Sequence, residues 1–147
     1  MSLKLKCYTT SISVDKTMGQ IMGLLREAGA RSIQFDNDAE TLQPCAVRFA
    51  FAWTGQVPME FCIRANIGGV YEFLQHQRGA PKGWDQAARV AWRVIREWIH
   101  SQLSLMAAGL AEPIDVFCGY LTDHQGRVLV DLLKEKPQLF LTAGVER

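Results

Sequence analysis

The chain has 147 residues, 48% hydrophobic and 21% charged, with a formal net charge of +1. That composition excludes a disordered chain, a collagen, a coiled coil and a disulfide scaffold, and the length suits one domain spanning 1–147. The near-zero net charge gives by itself no sign of a nucleic-acid or membrane partner.

The first residues, Met-Ser-Leu-Lys-Leu-Lys, break any apolar run with Lys4 and Lys6, so no signal peptide or membrane span is expected. A cytoplasmic location is expected (the host cytoplasm if the protein is phage-encoded), with no membrane partner. Leu3, Leu5 and Cys7 alternate with lysines and predict a short first strand. Met18, Ile21, Met22 and Leu25 then form one helical stripe over about Lys16 to Ala28, with Asp15 as N-cap and Gly29 at the end. Ile33 and Phe35 mark a second strand, followed by a polar loop to Pro44.

Cys45 to Trp53 and Val57 to Arg64 predict a hairpin around Thr54-Gly55-Gln56. Pairing residues whose numbers sum to 110 sets Val47 against Ile63, Phe49 against Phe61, Phe51 against Met59 and Trp53 against Val57. A slip of one residue would turn all of them to the other face, so the register is determined. The opposite face carries Ala46, Arg48, Ala50, Ala52, Pro58, Glu60, Cys62 and Arg64. It reads as a solvated face or a docking surface, through Arg48 and Arg64 or through self-association of the Ala residues.

Asn66 caps a short helix whose stripe is Ile67, Val70, Tyr71 and Leu74. After an Arg78–Gly83 loop comes the longest element, about Asp85 to Ala108, spanning roughly 36 Å. Its expected core face is Ala87, Ala91, Val94, Ile95, Trp98, Leu105 and Met106, flanked by Trp92, Ile99 and Leu103; Gln102 falls inside that face and would need a buried partner. Pro113 opens another helix with Ile114, Phe117, Cys118 and Leu121 inward, and Val128–Lys136 forms the last one, with Leu139, Phe140 and Leu141 docking behind it. The expected class is α+β: a small antiparallel sheet of about four strands in β-α-β-β-β order, packed by a long helix and several shorter C-terminal helices.

No linear catalytic signature is present. Gly79-Ala80-Pro81-Lys82-Gly83 lacks the phosphate-loop pattern, and the three histidines share no metal-ligand spacing. The four cysteines form no C-x-x-C pair and read as small buried hydrophobes. The reading therefore leans to a non-enzymatic protein without catalytic residues, cofactor or metal, with an active site assembled only in three dimensions as the alternative.

One constellation stands out. Arg89, Arg93, Arg96 and His100 fall within roughly 60° of one another on the long helix, beside Trp92, with Arg78 and Lys82 leading in. Residues 76–100 hold five basic and two acidic side chains, whereas 101–147 hold four and six. Such a ridge suits phosphates or an acidic protein face, and Trp92 could stack on an unpaired base. Alternatively it pairs within the fold with the acidic C-terminal segment. The stretch Tyr8-Thr9-Thr10 to Ala30, Ala88 to Ile95 and Leu103 to Phe117 resembles a group of small uncharacterised bacteriophage and prophage proteins. That resemblance carries no assigned activity; it implies a phage or mobile-element accessory role. The expected partner is nucleic acid or a nucleoprotein complex. The alternative is a host protein, for example a defence enzyme that it inhibits.

Overall fold

The structure is a computed structural model, and it describes residues 3–52 and 57–140. Five helices and a three-stranded antiparallel sheet follow in the order α1 (Val14–Glu27), β1 (Ser32–Asn37), β2 (Pro44–Ala52), β3 (Pro58–Arg64), α2 (Ile67–His76), α3 (Trp84–Ala107), α4 (Pro113–Phe117) and α5 (Leu129–Glu135). Short 3-10 turns occupy Cys118–Tyr120 and Pro137–Phe140. The class is α+β, as expected, but the sheet has three strands rather than about four, in the order β1-β2-β3.

The missing strand is the one expected at Leu3–Cys7. Cys7 turns the chain with φ of 63°, and the Thr10 N–H donates to the Cys7 carbonyl at 3.0 Å. The segment runs beside helices, and among the described residues no strand pairs with it. Its lysines stay outside, and Leu3 is 75% exposed. A left-handed residue carrying a Cβ costs roughly 1–2 kcal/mol, so neighbours must hold it there.

The hairpin register matches the alternation. Val47 pairs with Ile63, Phe49 with Phe61 and Phe51 with Met59, all on the buried face. The proposed Trp53–Val57 pair and the Gly55 loop lie outside the described residues. Phe49, Phe61 and Trp98 converge on Phe117 with ring centroids 5.0–5.6 Å apart, so α3 and α4 close over the sheet through one aromatic cluster.

Local chemistry sets the helix ends. Ser13, rather than Asp15, caps α1: its Oγ accepts from the Lys16 N–H at 3.2 Å, and Asp15 sits in the first turn. Gly29 takes φ of 93° beyond the end of α1, the conformation that favours glycine. Asn66 caps α2 by accepting from the Gly69 N–H at 3.0 Å. A Cβ at Gly69 would lie 2.7 Å from Asn66 Nδ2, so the cap needs glycine there.

On α3 the burial differs from the expected stripe. The buried set is Gln86, Ala87, Val90, Ala91, Trp92, Ile99 and Leu103. Leu105 is 39% exposed, and Gln102 is only half-buried. The helix packs on α1, α2 and the sheet together, so Trp92, Ile99 and Leu103, which read as flank in one-face periodicity, are buried as Ala87 and Ala91 of the expected face are. Among the cysteines only Cys62 is buried, and Cys118 is exposed. Of the three tail residues expected to dock, Phe140 is 67% exposed, while Leu141 and the Leu139 side chain lie outside the described residues.

Candidate functional site

The arginines of α3 sit beside a buried line of the helix. At 100° per residue, Arg96 falls about 40° from the row Trp92, Ile99, Leu103. Their side chains are therefore half-covered by α1 and the N-terminal segment. Arg89 donates through Nε and Nη2 to Gln86 Oε1 at 3.1 and 2.8 Å. Arg93 donates to Gln20 Oε1 on α1 at 2.5 Å and lies 3.9 Å from Glu97. Arg96 pairs with Glu97 at 3.0 Å, and Lys6 reaches the other oxygen of the same carboxylate at 3.6 Å. The Arg93 and Arg96 side chains are only 15% and 20% exposed. Burial pushes the Glu97 carboxyl up, but the charges of Arg96, Lys6 and Arg93 outweigh it and hold the pKa below its usual value.

Trp92 is fully buried. Its ring packs on Phe35 at 5.8 Å, and its indole N–H donates to the Pro44 carbonyl at 3.4 Å. Neither face is open to a base, so the expected stacking platform is a core residue. Lys82 turns away from α3 and caps the carbonyl end of α2, with Nζ 2.8 Å from the Leu74 oxygen and 3.2 Å from that of Gln75. His100 is exposed.

The acidic C-terminal third does not pair with this ridge among the described residues. Glu112 and Asp115 form the capping box of α4, Asp123 pairs with Arg127 at 2.9 Å, and Asp131 pairs with Arg64 at 2.8 Å.

Arg78 lies elsewhere, exposed at the rim of a cleft of about 780 Å³ between the N-terminal segment and α2. Leu3, Lys4 and Tyr8 form one wall; Glu72, Phe73, His76 and Arg78 line the other. Neither Lys4 nor Arg78 has an acidic partner among the described residues. Phe73 is 41% exposed. Of this group only Arg78 belongs to the candidate ridge, because the two walls of the cleft are about 70 residues apart in the chain. One signal was present: Phe73 falls off the Ile67–Val70–Tyr71–Leu74 stripe of its own helix.

The N-terminal wall is tethered by one buried side chain that belongs to no motif in the sequence. Gln86 donates through Nε2 to the carbonyls of Tyr8 and Thr10 at 3.1 and 3.0 Å, while its Oε1 accepts from Arg89.

The second expected surface, with Arg48 and Arg64, forms a smaller groove of about 360 Å³ against α5. Arg48 is held by Asp36 and by Glu60 at 3.2 Å, and Arg64 by Asp131. Ala46 and Cys62, only 5% and 3% exposed, pack on Val128, so this end of the Ala-lined face is already covered. Burial raises the Cys62 and Cys45 thiols, which disfavours the thiolate at both.

Asp36 gives a pH prediction. Burial pushes its carboxyl up, but hydrogen bonds from Arg48 and Gln34 hold the pKa below the usual value. Asp36 and Glu97 thus bind fewer protons folded than unfolded. Their stabilisation is complete above the unfolded values and is lost as pH falls through the lower folded ones. Melting temperature should stay level down to roughly pH 5 and fall below it, less steeply in Asp36→Asn and Glu97→Gln. Thermal melts across pH test this, and variants with the wild-type slope would reject it.

No metal-binding cluster of His, Cys, Asp or Glu occurs among the described residues, and no helix among them is long and apolar enough to cross a membrane. No protein-family model, curated protein or solved structure matches the chain.

Proposed function

We propose that the protein is a binding module for single-stranded nucleic acid, alone or within a nucleoprotein complex, and that it binds through the cleft between the N-terminal segment and α2. The observation that carries this reading is the contrast between two sets of cations. Each α3 arginine bonds a side chain within the fold (Arg89 to Gln86, Arg93 to Gln20, Arg96 to Glu97), whereas Lys4 and Arg78 line an open cleft without acidic partners among the described residues. Phosphates would meet Lys4 and Arg78, and a base would rest on the exposed ring of Phe73 with Tyr8 opposite. The cleft's volume lies in the range of pockets that enclose a small ligand or one to two nucleotides. The resemblance to phage and prophage proteins would make such a module an accessory factor of a mobile element, acting in the host cytoplasm.

The test is fluorescence anisotropy with a labelled single-stranded oligonucleotide at low salt. Lys4→Glu/Arg78→Glu should weaken binding by about ten-fold or more and flatten its salt dependence. Wild-type protein that fails to bind at low salt would reject the reading, as would a double variant that binds normally. Capture from host lysate that survives nuclease treatment would favour a host protein as partner instead.

A further inference from the structure

The two edges of the sheet are treated differently. At β3 the edge begins with Pro58, which has no N–H to offer, and is then covered: the Thr122 N–H and Oγ1 bond the Glu60 carbonyl at 2.9 and 3.1 Å, and Leu121 bridges Phe61. At β1 the edge is open. Among the described residues β1 pairs only with β2, along Ser32–Asn37. An edge strand turns the N–H and C=O of every second residue outward, and protected edges carry proline, lysine or a covering segment. The sequence Ser-Ile-Gln-Phe-Asp-Asn has neither residue, and its one acidic side chain is turned inward onto Arg48.

The charges along this edge are directional. Arg31, exposed and without an acidic partner among the described residues, precedes the strand; Asp36 and exposed Asp38 lie at its far end. A parallel copy would set like charges side by side. An antiparallel copy brings each Arg31 to the acidic end of its neighbour, twice, about a two-fold axis. With Gln34 opposite its own copy, Ser32 faces Asp36, whose carboxylate is held by Arg48, and Arg31 faces Asn37 next to the exposed Asp38. The half-buried Ile33 then faces Phe35 on the core side of the sheet. This register opposes no like charges and keeps each side chain on its own face.

We propose that the chain forms a homodimer by antiparallel pairing of β1 edges, making one continuous six-stranded sheet. The surface is distinct from the cleft proposed for ligand binding, so either assignment can fail without the other.

Light scattering after size exclusion, on the 147-residue chain at about 100 μM, should give twice the 16.5 kDa of one chain. Arg31→Asp sets a third acid at the acidic end, and Asn37→Arg sets arginine against arginine; each should be monomeric while keeping the wild-type far-UV spectrum. Mixed in equal amounts, the two variants become complementary and should recover a heterodimer. Dimer-dependent protection of the amides of residues 32–37 should accompany it. A monomeric wild type would overturn the proposal, as would single variants that remain dimers or a mixture that stays monomeric. Recovery in the mixture separates loss of pairing from failure to fold.

Discussion

Replacing Trp92 with alanine is expected to lower the unfolding free energy by about 3–5 kcal/mol, the range for removing a large buried aromatic. The indole is fully buried where α3 crosses the sheet, against Phe35, with its N–H on the Pro44 carbonyl. Truncation therefore opens a cavity and leaves that carbonyl without its donor. Trp92→Phe should cost less, since it refills most of the volume and loses only the hydrogen bond and part of the ring. Urea denaturation of the three proteins measures both steps. A Trp92→Ala loss under about 1 kcal/mol would mean that the ring is not in the core. It would restore the surface stacking role that its place beside the arginines suggests.

That ambiguity shows what the sequence could carry. Helical spacing places Trp92 beside Arg89 and Arg96, which fits a stacking aromatic on a basic ridge and a core aromatic with half-covered arginines equally well. Periodicity gives angles around an axis; it does not say which angle points inward when a helix meets three neighbours. In α3 Trp92, Ile99 and Leu103, the residues that looked like flank, are buried along with Ala87 and Ala91 of the expected face. The same packing drew Arg93 and Arg96 into the junction with α1 and the N-terminal segment.

The β2–β3 hairpin was legible because its constraint is local and two-sided. Six large apolar residues alternate with small or charged ones on both strands, and only one register puts them all on one face. Leu3–Cys7 shows the same alternation over too short a stretch, and a strand also needs a neighbour to bond. Sequence alternation could not show that none would be alongside, or that Gln86, far along the chain, would take the carbonyls of Tyr8 and Thr10 instead. The cleft was hidden for the same reason, since its walls meet only in three dimensions.

Gln86 links fold to proposed function, and Gln86→Leu should have the second large effect. The amide is 5% exposed and has every group employed: two donors on the N-terminal carbonyls, one acceptor shared by Arg89 Nε and Nη2. Leucine has similar volume and none of these bonds. It would leave two carbonyls and part of a guanidinium without partners, a loss of about 2–4 kcal/mol. The strained turn at Cys7 would lose its tether first, so the effect should concentrate at one end of the chain. Hydrogen exchange should show residues 3–10 losing protection while the sheet keeps it. Oligonucleotide binding should fall as far as in Lys4→Glu/Arg78→Glu, because Lys4 and Tyr8 leave the cleft together. Gln86→Glu separates the two halves of the interaction: it keeps an acceptor for Arg89 but cannot donate to the carbonyls, so the segment should still be released. If Gln86→Leu keeps both the protection of residues 3–10 and full binding, the tether is not what builds the cleft.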